Sequence, residues 1–147
     1  RYGEEKISLD LIKKESIKLG IDEFIQNLPN KYETVIGQRG SDLSMGQRQL
    51  LSILRALLAD TKYLILDEAT SSIDSYTEKK IQTALDVLLD NRTSITIAHR
   101  LATVRNCDRI IVLNQGEIIE SGNHEDLLKI KGLYSKLYKL NYSSFDD

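Results

Sequence analysis

Two adjacent acids, Asp67 and Glu68, stand directly after the apolar run Tyr63-Leu64-Ile65-Leu66. In open α/β sheets, ligands collect at the carboxyl ends of strands. Successive residues of an extended chain point opposite ways, so the two carboxylates can hold different partners. One can face Mg²⁺, a hard cation that takes oxygen ligands. The other can orient or deprotonate a water. A solvated strand end followed by a turn accounts for the same string equally well. Upstream, Ser44 and Gly46 stand where a helical pattern begins. Unpaired N–H groups and the macrodipole draw anions to such an end. Glycine lets the backbone approach a phosphate, and Ser44 adds a hydroxyl donor. The competing reading is a plain N-cap by Ser44, with Gln47 at the capping-box position three residues on. His99 follows the β-branched run Thr93–Ala98 and is expected on the same sheet edge as Glu68. There an imidazole could hydrogen-bond a phosphate oxygen, or simply end a strand. Asp74 precedes a helical stretch and could cap it.

These residues need elements to place them. Ile7 to Gly20 has apolar residues at helical spacing, and Gly20 is a natural stop. A short helix is expected over Asp22–Asn27, ended by Leu28-Pro29-Asn30. Gly46 to Ala59 is the clearest helix, with Leu50, Leu51, Ile53, Leu54, Leu57 and Leu58 on a wide apolar face and Arg48 off it. Tyr63 to Leu66 reads as a strand buried on both faces. Ser75 to Asp90 is helical again, and Thr93 to Ala98 a strand. Arg109–Leu113 and Glu117–Glu120 read as a hairpin joined through Asn114-Gln115-Gly116. Asn123 caps a helix through Leu128, and Gly132 separates this from a last amphipathic helix through Leu140. His124 is expected on an exposed first turn and Cys107 as a small buried residue; neither is assigned chemistry. Strand and helix alternate from Tyr63 onward, which argues α/β with a largely parallel sheet.

Composition narrows the setting. Of 147 residues, 41% are hydrophobic and 29% charged, the balance of an ordinary globular domain. A net charge of −2 gives no bulk attraction to nucleic acid. One cysteine cannot form an internal disulfide, which fits a reduced, cytoplasmic setting. No apolar run approaches the roughly 18–20 residues of a membrane helix. The only methionine is Met45, so Arg1-Tyr2-Gly3 reads as a cut inside a longer protein.

Taken in order, loop, helix, apolar strand, acid pair, Ser-Ser-Ile-Asp, strand and histidine resemble the ABC ATPases, over essentially the whole chain. Leu43-Ser44-Met45-Gly46-Gln47-Arg48-Gln49 is similar to their signature motif and Tyr63–Glu68 to their Walker B strand. Ser71–Asp74 resembles their D-loop, and Ile97-Ala98-His99-Arg100 their H-loop. Thr34-Val35-Ile36-Gly37-Gln38-Arg39-Gly40 resembles the stretch by which exporters touch their transmembrane domain. Met45 stands where many members have glycine, and Gln38 where exporters commonly have glutamate. The resemblance implies a partial P-loop NTPase-type domain. Residues 1–58 would be the helical-subdomain portion, with the exporter-type loop and signature helix, and 59–147 the C-terminal half of the ATPase core. It implies ATP and Mg²⁺ as ligands: Asp67 for the metal through water, Glu68 as general base or water-orienting acid, His99 at the γ-phosphate. Ser44, Gly46 and Gln47 would meet ATP bound to a second ABC ATPase domain, identical or sister, with Asp74 lining that interface. The implied partner is an exporter's transmembrane domain, which holds the ATPase at the cytoplasmic face of a membrane.

No Gly-Lys pair occurs in the sequence, so the phosphate loop of the family is not in it. The fragment alone is expected to bind Mg·ATP poorly and to hydrolyse it negligibly. Two other readings stay open. The chain could derive from a partner subunit that donates its signature loop without hydrolysing, or from a soluble ABC ATPase outside transport. The exporter-like Thr34–Gly40 stretch disfavours the latter. The transported substrate is not legible in the sequence.

Overall fold

The computed structural model describes residues 7–37, 40–67, 74–97 and 104–142. Its elements are helices α1 (Leu9–Lys18) and α2 (Asp22–Gln26), a 3₁₀ turn at Lys31–Glu33, α3 (Met45–Leu58), β1 (Tyr63–Asp67), α4 (Ser75–Leu89), β2 (Thr93–Ile97), β3 (Ile110–Asn114), β4 (Glu117–Gly122), α5 (His124–Ile130) and α6 (Leu133–Tyr142). By contacts the chain forms two units. One comprises residues 1–65 and 70–95; the other comprises 66–69 and 96–147.

In the first unit, α3 buries Leu50, Ile53, Leu54 and Leu57. Their i, i+3, i+4, i+7 spacing forms one stripe. It packs on α4, whose buried face is Ile81, Ala84 and Leu88. Each fully buried Leu or Ile side chain contributes about 1.5–3 kcal/mol relative to exposure. The corner between α1 and α2 joins through Leu19 and Ile21, both almost fully buried. Ser16 is buried there too; its hydroxyl donates to the Ile12 carbonyl at 2.7 Å, which satisfies it inside the helix.

β1 and β2 form a two-stranded sheet. The Thr93 N–H donates to the Lys62 carbonyl at 3.1 Å, so the strands start side by side and run parallel, with α4 as the crossover. Tyr63 and Ile65 are 76% and 77% exposed, whereas Leu64 is buried. Alternate residues face opposite sides, and among the described residues only the Leu64 side is covered.

The second unit holds the antiparallel hairpin β3–β4, paired from Ile110↔Gly122 to Asn114↔Glu117 with a bulge at Val112/Leu113. Its loop is Gln115-Gly116, both at positive φ (49° and 85°), as a tight hairpin whose twist matches its strands requires. Ile110, Val112, Leu127 and Tyr134 form the core of this unit. Cys107 is only half-buried against that core. Burial pushes its thiol up, and the Asp108 charge adds to this, so the thiolate is disfavoured.

Among the described residues, no helix is long and apolar enough to cross a membrane.

Candidate functional site

The loop before α3 is built by its own side chains. Ser44 is the N-cap: its Oγ accepts from the Gln47 N–H at 3.2 Å, and the Gln47 Oε1 accepts from the Ser44 N–H at 2.9 Å. This closes a capping box. It leaves other first-turn N–H groups of α3 without a helical acceptor. Gly46, in that turn, is buried. The N-cap reading of Ser44 and Gln47 is therefore realised, on a helix end that keeps its affinity for anions.

Arg48, on the first turn of α3, also builds this loop. A cation in the first turn of a helix opposes the macrodipole. Its Nη1 turns back and donates to the carbonyls of Gly40, at 3.2 Å, and Leu43, at 2.5 Å. Gly40 itself has φ +68°, and a Cβ there would stand 3.0 Å from the Arg48 Cδ. Arg48 thus ties the end of the Thr34–Gly40 stretch to the loop that carries Ser44. The cation at an unfavourable helix position was the available signal.

Ser44 and Gln47 border a groove of about 150 Å³ that Tyr76, Thr77 and Lys80 of α4 also line. Asp74 is the N-cap of that helix, its Oδ1 accepting from the Thr77 N–H at 2.9 Å. That hydrogen bond holds the Asp74 carboxyl below the ordinary carboxylate range. The structure therefore brings Ser44, Gly46 and Gln47 together on one helix end and sets Asp74 at the head of the helix beside it. Asp67 is the last residue of β1 and is exposed. Glu68 and His99 lie outside the described residues, as do Gln38 and the Ser71–Ile73 part of the D-loop stretch.

Carboxylate oxygen at Asp67 suits a hard divalent cation. A single such ligand matches Mg²⁺, which keeps waters and substrate phosphates in its remaining positions. Groups of three or more His, Cys, Asp or Glu side chains able to hold a metal are absent among the described residues.

The family model described as "ABC transporter" matches residues 4–71. An ABC transporter ATP-binding protein of Bacillus subtilis, named YknV and called uncharacterized, is 54% identical over 98% of this chain. The chain belongs to the ABC transporter ATPases. An ATP-dependent lipid A-core flippase of Desulfotalea psychrophila is 47% identical over 95% of the chain. The solved structure of a bacterial Atm1-family ABC exporter with ATP bound superposes with a TM-score of 0.81, at 38% identity over 95% of the chain. The chain spans 24% of the length of each of these three proteins. The likeness to that exporter places the α/β fold of this ABC ATPase segment among P-loop NTPase domains.

Proposed function

We propose that this chain is the signature and Walker B portion of an ABC exporter's ATPase domain, and that the whole protein hydrolyses ATP to drive transport. One observation carries the reading. The capped end of α3 presents Ser44 and a buried Gly46 in a sequence 38% identical to an exporter of the same fold. A helix end so placed gives N–H donors and a hydroxyl to a phosphate without needing a side-chain cation. The sequence has no Gly-Lys phosphate loop to hold that nucleotide itself. By resemblance to the ABC ATPases, the nucleotide met by Ser44, Gly46 and Gln47 is one bound by a second ABC ATPase domain.

In this reading Asp67 would hold Mg²⁺ through water, and the ion would supply charge neutralisation to the phosphates of the bound nucleotide. Glu68 accepts the proton of the attacking water, or fixes its orientation. His99 donates to a γ-phosphate oxygen. Asp74 faces the second domain from the head of α4. Residues 1–58 act as the helical-subdomain portion and 59–147 as the C-terminal half of the core. Val35, 89% exposed in the Thr34–Gly40 stretch, is offered to the transmembrane domain at the cytoplasmic membrane face.

ATP turnover by the parent protein, purified with its membrane domain, tests this. Ser44→Arg should keep ATP binding and lose turnover by about 100-fold, the scale of losing a donor to transition-state charge. Wild-type turnover in that variant would overturn the role given to α3.

A further inference from the structure

We infer that Arg48 is a positioning residue for the phosphate-facing end of α3, acting through the peptide that carries Ser44; this rests on the reading of α3 proposed above. An arginine in the first turn of an anion-drawing helix is by residue type a candidate phosphate ligand. Here the half-buried side chain turns back to the loop ahead of the helix. Its Nη1 donates to the Gly40 carbonyl and to the Leu43 carbonyl, eight and five residues upstream. Both hydrogens of that nitrogen are thereby engaged. The Gly40 carbonyl also accepts from the Leu43 N–H at 3.0 Å, so the arginine closes over a turn that ends where Ser44 begins.

The Leu43 carbonyl and the Ser44 N–H belong to one peptide unit, which is planar. Arg48 donates to the carbonyl end of that unit, and Gln47 Oε1 accepts from its N–H end. Two neighbouring side chains of α3 therefore grip the same plane from opposite sides. The capping box alone holds only the N–H side, so without Arg48 the plane is free to tilt about that one bond. Tilting it swings the Ser44 Cα and with it the hydroxyl. That hydroxyl accepts from the Gln47 N–H, and a hydroxyl that accepts one bond can still donate another, here to a phosphate oxygen. Gly40 completes the device. Its φ is +68°, and a Cβ there would stand 3.0 Å from Cδ and 3.1 Å from Cγ of Arg48. Glycine permits both the turn and the close passage of the arginine stem.

The test uses the parent protein with its membrane domain. Wild type, Arg48→Met, Arg48→Lys and Gly40→Ala are compared for kcat and KM with Mg·ATP, normalised to the number of ATP-binding sites, with Ser44→Arg alongside. Methionine keeps an apolar stem across Gly40 and removes both donors. Displacement of about 1 Å at a reacting centre costs up to about 100-fold. Arg48→Met should therefore lower kcat by about 10- to 100-fold while KM stays within about twofold, the pattern of a lost transition-state interaction. Arg48→Lys, whose ammonium has donors for two carbonyls on a shorter stem, should recover part of the loss. Gly40→Ala, which pushes the stem off the turn, should lower kcat in the same way. Unchanged kcat per site in Arg48→Met, with a lowered melting temperature alone, would overturn the inference. So would a KM raised about tenfold at unchanged kcat, which marks direct binding of the nucleotide by Arg48. Should Arg48→Met fail to fold, wild-type kcat per site in Gly40→Ala overturns it equally. Loss of turnover in Ser44→Arg with wild-type turnover in the Arg48 variants removes the positioning role alone. Wild-type turnover in Ser44→Arg instead refutes the reading of α3, and the positioning role with it.

Discussion

Gly132→Ala should loosen α6 through a carboxylate twelve residues upstream. Glu120, at the bulged strand β4, accepts hydrogen bonds from the N–H groups of Leu133 and, at 3.2 Å, Tyr134. A side chain from the hairpin therefore serves as the N-terminal cap of α6. A Cβ on Gly132 would overlap Glu120 Oε1 and stand 2.6 Å from its Cδ. Glutamate is flexible enough to move aside, so the cost is the lost cap rather than a disrupted core. Removing an N-cap acceptor costs about 1 kcal/mol, up to about 2. A loss of one to two kcal/mol shifts a local opening equilibrium by a factor of about 5–30. Hydrogen exchange over residues 130–140 of the parent protein reads this directly. Gly132→Ala should speed exchange by that factor, and Glu120→Ala should do the same. In the Glu120→Ala background, the glycine substitution should add little, because its target is already gone. Additive effects of the two substitutions would refute the reasoning.

Two further predictions concern the caps of the proposed site. Ser44→Ala should cost about 1 kcal/mol of local stability at α3, and Gln47→Ala should cost less once Ser44 is gone, since each completes the other's bond; equal costs in both backgrounds would contradict the reciprocal box. Asp74 has a folded-state pKa below its ordinary value, so its contribution is present above the unfolded value and disappears as pH falls through the folded one. Asp74→Asn keeps a capping oxygen but does not titrate; the exchange protection of the first α4 turn should fall faster in wild type than in the variant as pH drops through and below the ordinary carboxylate range, and parallel curves would rule the linkage out.

How far the fold was readable depends on how local each cause is. The α3 stripe and its cap lie within a few residues of each other, and Ser44 with Gln47 at the third helical position follows from spacing alone. The expected helix start at Gly46 was one residue late, because Met45 already takes helical geometry after the cap. The Asn114–Gly116 turn was legible from its residue types, and its two positive φ angles follow from them. Contacts made across the fold were not legible. Arg48 reaches back to Gly40, Glu120 caps a helix beyond the next one, and Arg92 spans two turns about thirty residues apart. His124, expected to be exposed and idle, is half-buried with its Nδ1 2.8 Å from the hydroxyl of the buried Tyr134. The identity of the site residues came from their order along the chain, which no single geometry in the structure replaces.

Glu68 is proposed as the carboxylate that activates water in an ABC exporter ATPase. Steady-state ATP hydrolysis and equilibrium ATP binding by the parent protein, wild type against Glu68→Gln, test it most directly. Binding should be retained and turnover reduced by at least about 100-fold, the scale of general acid–base contributions. Hydrolysis at the wild-type rate in the Glu68→Gln protein would contradict it.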